Sequence, residues 1–432
     1  MFYYLFPESK NQFIHVGYNH AVFLLDKMLG ERFFVEENLS TKARFYCNLP
    51  YHTNGKKLKG KFPLVLYTMF ETTEIPKSWV KYLNKYVDVL LVPSEWNREI
   101  FIKSGVKMPV FVVRLGYDPD EYDLVPKTRN LDKFVFMWQG VCHDRGGRKG
   151  YDLAIDSFKE LKREGYLGDD AKLILKTVPQ KGQHLELDLD DDSIIINRCI
   201  KSTEEMKQMY SSVDCCINPT QGEGFGYIPL EQMAMGKPII APMWSIPYLT
   251  SGHEMLTFIP VDYRLKKSNL SWNHKSIHVS LNGIVMNFGG LAWELRFLPK
   301  RCMELRSETG KAIKIPGIKC VHNEKKFTSI VLLFNKIWNC IARLHKRSGL
   351  IVNRKRIPKI INFENPGLGA YIDKEDLKDK MVWAYSHQDS IKEIGLKAHE
   401  YVSKHWTVDN ILTDYLKIES HIEQIVDQRR RT

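Results

Sequence analysis

Short apolar runs alternate with helical patterns along the first 120 residues. Strand-like runs lie at 2–6, 63–69, 87–92 and 110–114, and helical patterns lie at 19–29, 79–84 and 95–103. The run at 63–69 is almost continuously apolar, which is typical of a parallel strand buried on both faces. Ser94 precedes the third helical pattern and is its predicted N-cap. This alternation predicts a doubly wound parallel sheet.

A second alternating set follows the polar stretch 118–132, which contains Pro119 and Pro126. We predict strands at 134–138, 173–177, 193–197, 214–218 and 238–241, and helices at 149–164, 203–211 and from Pro229 to about 235. Two such halves predict two Rossmann-like domains. Ligands bind to sheets of this kind beyond the carboxyl ends of the strands, so we expect a site in a cleft between the domains.

The alternation stops near residue 263 and resumes near 370, with helices predicted at 374–385, 390–405 and 408–427. The predicted organisation is an N-terminal domain at 1–120, a linker at 121–132 and a C-terminal domain at 133–262 and 365–407. The interval 263–364 is predicted to be an insertion. The last helix, at about 408–427, is expected to cross back to the N-terminal domain.

Positive charge is concentrated in that insertion. The net charge is +12 overall, yet residues 264–359 hold 21 Lys and Arg against 4 Asp and Glu, while the rest holds 42 against 47. Two interpretations stay open: contact of 264–360 with an anionic membrane or acidic acceptor, or a structural elaboration packed on the core. The amphipathic stretch 329–345 suits the first. Nucleic acid is the least favoured polyanion.

Cysteine spacing and hydropathy bear on location. The eight cysteines include no Cys-x-x-Cys pair, which is typical of reduced thiols in a cytosolic protein. No apolar run approaches the roughly 18 residues of a membrane-spanning helix. The first residues lack the features of a signal peptide and are better interpreted as a strand. We predict a cytoplasmic protein, with peripheral membrane contact left open.

The stretch 218–231 holds the candidate chemistry. Glu223 follows the predicted strand 214–218, and Glu231 should project from the first turn of the helix at Pro229. Gly224 and Gly226 would let the backbone approach a diphosphate at a helix N-terminus, and the carboxylates would accept bonds from sugar hydroxyls. Two solvated acids are the alternative interpretation, but the glycines and Pro229 favour a nucleotide-sugar site.

This stretch resembles the E-x7-E signature of retaining glycosyltransferases of the GT-B fold, family four, and 231–242 (EQMAMGKPIIAP) continues it. The resemblance spans most of 1–250 and resumes at about 370–420. It implies an α/β fold of GT-B type, with two Rossmann-like doubly wound domains facing a cleft. The N-terminal domain would bind the acceptor, and the C-terminal domain, which carries the basic insertion, would bind the donor.

The resemblance also implies roles for individual residues. Glu223 would meet the donor sugar and Glu231 the ribose. The turn that faces the donor sugar or diphosphate would consist of Gly224, Phe225, Gly226 and Tyr227. In the loop 140–150, Lys149 matches the family's lysine, which faces the donor phosphates. Because the loop spacing differs from the common form, Arg145 and Arg148 both qualify as the family's arginine.

Cations in that loop would neutralise the diphosphate as the glycosidic bond breaks, so we expect no metal and no cofactor besides the nucleotide-diphosphate-sugar donor. The sequence shows no Asp-x-Asp pair at a strand end. The acceptor would be a glycan, lipid or protein hydroxyl, and transfer would retain the anomeric configuration. No carboxylate pair is arranged as in a glycosidase.

The N-terminal half matches the family less closely. Gly17 stands where the family has a glycine loop, in an abbreviated form. Glu71, after the strand 63–69, stands where many relatives have a histidine near the reacting sugar, and could take that polar role, orient the acceptor or be a buried structural carboxylate. The missing histidine favours one alternative, a non-catalytic sugar-binding or scaffolding protein. A nucleotide-sugar 2-epimerase is disfavoured by Lys149 and the E-x7-E context.

Overall fold

The computed structural model describes residues 2–5, 33–34, 42–47, 62–141, 148–177, 191–199, 202–245, 257–267 and 367–431, with single positions between 21 and 50 and four short strands between 278 and 316. The chain divides into two compact units, one of residues 1–270 and 365–432 and one of residues 271–364. In the second unit, the described strands pair antiparallel: β14 (His278–Leu281) with β15 (Ile284–Asn287), and β16 (Cys302–Arg306) with β17 (Ala312–Pro316).

The first half of the larger unit is built on a six-stranded parallel sheet. In chain order its strands are β1 (Phe2–Leu5), β2 (Phe33–Phe34), β3 (Ala43–Cys47), β4 (Leu64–Tyr67), β5 (Val89–Val92) and β6 (Val110–Val112). They lie in the order β2-β1-β3-β4-β5-β6. All four residues of β4 and of β5 are buried, as the continuous apolar runs predicted. In the described part of this half, α1 (Lys77–Tyr86) connects β4 to β5, and α2 (Glu95–Lys103) connects β5 to β6.

The second half repeats this plan. Its strands are β7 (Phe134–Gln139), β8 (Ala171–Lys176), β9 (Ile194–Asn197), β10 (Cys215–Ile217), β11 (Ile239–Pro242) and β12 (Ile259–Val261). They lie in the order β12-β11-β10-β7-β8-β9, again all parallel. The connecting helices are α3 (Tyr151–Arg163), α4 (Thr203–Tyr210) and α5 (Tyr227–Ala234). The direction of winding reverses between β7 and β10, which are adjacent in space.

The chain ends in three helices, α6 (Lys374–Ser386), α7 (Gln388–His405) and α8 (Val408–Arg431). An antiparallel pair, β13 (Tyr263–Lys267) and β18 (Leu368–Ile372), precedes them. Helix α8 packs on β5 of the first half, where Ile422 and Val426 are fully buried in the same cluster as Val89 and Leu91. Burial of this apolar face stabilises the association of α8 with the first sheet.

The chain crosses between the halves at two adjacent places. Tyr117 N donates to Trp406 O at 3.0 Å, and Val408 N donates to Tyr117 O at 3.1 Å. Arg114 stacks on the ring of Trp406, with its guanidinium 4.8 Å from the ring centre. The outgoing segment after β6 and the returning segment before α8 are therefore bonded side by side.

Most predicted elements are present, with two differences. Helix α5 begins at Tyr227, two residues before Pro229, because Gly226 adopts the left-handed conformation at its N-cap. Strands β2, β3 and β12 were not predicted. Ser94 is the N-cap of α2, as predicted, since its side chain accepts from Asn97 N.

Two predictions concern membrane contact. The amphipathic stretch 329–345 lies outside the described residues, so contact of the basic segment with a membrane stays a prediction. Among the described helices, none combines the length and the apolar character needed to cross a bilayer.

Candidate functional site

The candidate site lies where the second sheet changes its winding direction. The loop after β7 leads to Arg148 and Lys149 at the start of α3, and the loop after β10 leads to Glu223. Because β7 and β10 are adjacent and parallel, both loops leave from the same sheet edge. Gln221 N donates to Arg148 O at 2.8 Å and joins them. This reversal point is where open α/β sheets bind ligands.

Lys149 and Glu223 form the centre of the site. Lys149 Nζ lies 2.6 Å from Glu223 Oε1 and 2.8 Å from Oε2. Arg148 Nη1 donates to Glu223 Oε2 at 3.2 Å and to Gly222 O at 2.5 Å. Thr220 Oγ1 also donates to Glu223 Oε1, at 2.9 Å. The structure therefore brings together three of the residues predicted to bind the donor.

Glu71 reaches this cluster from the first sheet. It follows β4, and its Oε1 lies 3.7 Å from Arg148 Nη2. Its Oε2 is buried and has no hydrogen-bond partner among the residues that the structure describes. A buried acceptor without a partner is costly, so a ligand hydroxyl that donates to it would recover that cost.

The pKa values of Glu223 and Glu71 are shifted in opposite directions. Burial opposes ionisation of Glu223, but the charges of Lys149 and Arg148 outweigh it and hold the pKa of Glu223 below its usual value. Burial raises the pKa of Glu71, and Arg148 only partly offsets this effect. Glu223 is therefore an anion held by two cations, whereas Glu71 is the more readily protonated of the pair.

Asn97 links the loops of the two halves, a role that the sequence did not indicate. The residue is fully buried at the start of α2. Its Oδ1 accepts from Phe70 N at 2.7 Å, and its Nδ2 donates to Gly224 O at 2.6 Å. One side chain thus holds the residue before Glu71 and the residue after Glu223. The only sequence signal at Asn97 was its place in the first turn behind Ser94.

The glycine turn, Gly224 to Gly226, leads directly into α5. The backbone amide groups of this turn therefore lie at the N-terminus of the helix. Gly226 has φ +100°, a conformation that favours glycine. The ring of Phe225 is 1% exposed and packs 6.1 Å from the ring of Trp406, so its side chain belongs to the core. A contact of Phe225 with a donor would come from its backbone.

Glu231 has a neighbour that the sequence did not indicate. Tyr122, in the segment between the two sheets, donates a hydrogen bond to the Glu231 carboxylate. Burial raises the pKa of Glu231 to about 8, although the Tyr122 bond acts in the opposite direction. Glu231 therefore lies against the linker segment, while Glu71, Arg148, Lys149 and Glu223 form a separate contact group.

The Glu231 pKa predicts a pH dependence of stability. The folded-state pKa lies above the usual 4.5, so between about pH 4.5 and 8 the native protein holds a proton that the unfolded chain has lost. Stability at this site must then fall as pH rises, by at most about 1.4 kcal/mol per pH unit. Glu231→Gln should remove this slope, which urea unfolding between about pH 5 and pH 8 measures. If the free energy of unfolding varied with pH in the same way for the wild type and Glu231→Gln, the raised pKa would not belong to Glu231.

Three predictions remain untested by this geometry. Gly17 and Arg145 lie outside the described residues, so Arg148 is the candidate arginine whose position is given. Among the described residues, no group of three or more His, Cys, Asp or Glu side chains could hold a metal ion. Metal independence nevertheless stays a prediction.

The sequence is similar to known glycosyltransferases over part of its length. Residues 133–262 match the family of glycosyl transferases group 1. An uncharacterised glycosyltransferase of Methanocaldococcus jannaschii is 27% identical over 188 residues, which cover 43% of this chain and 44% of that one. An uncharacterised glycosyltransferase of Sulfolobus islandicus rod-shaped virus 1 is 30% identical over 200 residues, covering 44% and 56%. The chain thus spans about half the length of these relatives.

Solved structures match over nearly the whole chain. A glycosyltransferase from Rickettsia africae superimposes with a TM-score of 0.51 at 13% identity, covering 97% of this chain and 84% of that one. Sucrose-phosphate synthase from Thermosynechococcus elongatus gives a TM-score of 0.51 at 11% identity, covering 97% and 80%. With the two parallel sheets described above, the chain has the GT-B fold, as predicted. Structural similarity at such low sequence identity defines the fold only, and the activity must be argued from the residues of the site.

Proposed function

We propose that the protein is a retaining glycosyltransferase that moves a sugar from a nucleotide-diphosphate-sugar to an acceptor hydroxyl. The observation that carries the proposal is the group of Glu71, Arg148, Lys149 and Glu223, in which side chains from both halves converge at the sheet edges where α/β folds bind ligands. The match of 133–262 to glycosyl transferases group 1 supports it.

In the proposed reaction, Lys149 and Arg148 bind the donor diphosphate. Bond cleavage between the anomeric carbon and the phosphate oxygen leaves an additional negative charge on the diphosphate. Two cations already in place stabilise that charge without reorganisation during the reaction. The arginine can bond two phosphate oxygens at once, whereas the lysine acts as a compact charge.

Glu223 and Glu231 hold the rest of the donor. A carboxylate accepts bonds from a pair of hydroxyls, and the resemblance assigns the sugar to Glu223 and the ribose to Glu231. The bond from Tyr122 to Glu231 is the kind of contact that a ribose hydroxyl would replace or share.

The acceptor hydroxyl approaches from the side of the first sheet. Glu71 Oε2 is buried there without a hydrogen-bond partner among the described residues, so it can accept from a second hydroxyl of the acceptor and thereby orient the attacking one. The hydroxyl attacks the anomeric carbon on the face that the phosphate leaves, and its proton passes to the departing phosphate. The new bond then keeps the original configuration.

An assay of nucleotide release tests this proposal. The protein is incubated with a panel of nucleotide-sugars, with and without glycan, lipid and protein acceptors. We expect one donor to release its nucleoside diphosphate faster when an acceptor is present. Glu231→Ala should lower kcat/KM for that donor by about 10- to 100-fold, since it removes the hydrogen bonds to two ribose hydroxyls, each worth about 0.5–1.5 kcal/mol.

Failure would take one of two forms. Binding of nucleotides without release from any donor would favour a non-catalytic role. An unchanged kcat/KM in Glu231→Ala would contradict the proposed position of the ribose. The configuration of the new glycosidic bond, read by NMR of the product, separates retention from inversion.

A further inference from the structure

The cations of the proposed diphosphate site already bind an anion of the protein itself. Lys149 Nζ contacts both carboxylate oxygens of Glu223, at 2.6 and 2.8 Å, and Arg148 Nη1 contacts one of them at 3.2 Å. These are the same two residues to which the proposed function assigns the donor diphosphate. An incoming diphosphate must therefore compete with Glu223 for their N–H groups.

Glu223 is firmly held as the competitor. Its side chain is 10% exposed and that of Lys149 is 17% exposed. Thr220 Oγ1 donates to the carboxylate at 2.9 Å, and Glu223 N donates to Ser245 Oγ at 2.8 Å. A carboxylate displaced from its cations would stay buried beside the diphosphate. Its loss of paired charge and its repulsion from the phosphates would both weaken binding.

An attached sugar changes this balance. Its hydroxyl groups are hydrogen-bond donors, and an ionised carboxylate is a strong acceptor for them. A sugar that donates to Glu223 would compensate the carboxylate for the cation contacts it gives up. A free nucleoside diphosphate offers no sugar hydroxyl at this position, so the cost of displacing Glu223 is not recovered.

We infer that Glu223 is a specificity-determining residue that makes the site favour an intact nucleotide-sugar over the free nucleoside diphosphate. The inference rests on the proposed function and adds a second role to Glu223 besides its contact with the sugar. After transfer, the carboxylate regains Lys149 and Arg148 and promotes release of the nucleoside diphosphate.

The test is the affinity of Glu223→Gln for nucleoside diphosphates. Glutamine keeps the size of the side chain and removes the competing charge. Isothermal titration of UDP, GDP, ADP, dTDP and inorganic pyrophosphate should show the variant binding the preferred nucleoside diphosphate at least about tenfold more tightly than the wild type. Pyrophosphate should change in the same direction. Equal or weaker binding by the folded variant overturns the inference.

A double-mutant cycle links the gain to the observed ion pair. Lys149→Ala in the Glu223→Gln background should abolish the gain in affinity, because the freed cation is then absent. A gain that survives without Lys149 would assign the effect to another cause and overturn the inference. Circular dichroism and thermal melting establish that each variant is folded.

A measurement on the wild type applies even if Glu223→Gln does not fold. A non-transferable 2-fluoro analogue of the preferred donor should bind at least as tightly as the corresponding nucleoside diphosphate. Tighter binding of the nucleoside diphosphate than of the analogue contradicts the inference. If the wild type neither binds any nucleoside diphosphate nor releases one from any nucleotide-sugar, the proposed function itself fails, and this inference fails with it.

Discussion

Replacing Lys149 by alanine is expected to lower kcat/KM for sugar transfer about 100- to 1000-fold, the range found when one preorganised donor is removed from a site of developing charge. The lysine Nζ lies 2.6 Å from Glu223 at the edge of the β7 and β10 loops, where the diphosphate is proposed to bind. Without it, Arg148 would be the one cation of the described cluster left to stabilise the leaving group. Initial rates of nucleotide release with saturating acceptor measure the effect.

The control separates this loss from general destabilisation. Removing Lys149 takes a cation from the buried Glu223, which lowers the free energy of unfolding as well. Lys378 is a matched case in α6, since its side chain is 11% exposed and pairs with Glu164 at 3.1 Å and Glu375 at 3.3 Å. Lys378→Ala should lower the melting temperature of the protein. At assay temperatures well below that melting temperature, the variant should keep the wild-type kcat/KM. Equal rates for wild type and Lys149→Ala would refute the role of this lysine.

The second large effect is expected from Gly222→Ala. A Cβ atom at this position would lie 2.1 Å from the backbone oxygen of Glu71, closer than any real contact. Either the loop before α5 or the loop after β4 must move, and displacements near 1 Å at a reacting centre can cost about 100-fold in rate. We therefore expect a loss of transfer near that size, measured as kcat/KM with saturating donor.

Gly30→Ala serves as the matched control, since a Cβ atom there meets nothing within 4 Å among the described atoms. Its rate should equal that of the wild type. Gly222→Ala should also separate transfer from hydrolysis, because the acceptor side moves relative to the donor side. Wild-type transfer by the Gly222→Ala protein would show that the contact between the two loops has no part in catalysis.

The elements that could be predicted from the sequence are those whose burial is continuous. Strands β4 and β5 are buried at every position, so their apolar runs indicate them directly. Strand β3 contains Arg44 among apolar residues, and β2 has only two residues. Such strands depend on neighbours in the sheet more than on their own pattern, and they were missed for that reason.

The candidate site divides in the same way. Glu223 and Lys149 follow strands of the second sheet, so their approach to a common edge was predictable from the topology of parallel sheets. Glu71 follows a strand of the first sheet, and the sequence indicated only that it should face the cleft between the halves. Asn97 Nδ2 donates to the backbone oxygen of Gly224, which lies 127 positions further along the chain. No local pattern indicates such a contact, and the same holds for Tyr122 and Glu231. These contacts depend on how the two halves meet.

The return of α8 to the first sheet has a consequence for engineering. Residues 1–120 alone would leave the apolar surface on β5 uncovered, because Ile422 and Val426 come from the far end of the chain. The bonds between Tyr117 and the segment 406–408 would be lost as well. A chimera that exchanges the first half with that of a relative must therefore transplant two separate pieces of chain, with both junctions beside Tyr117.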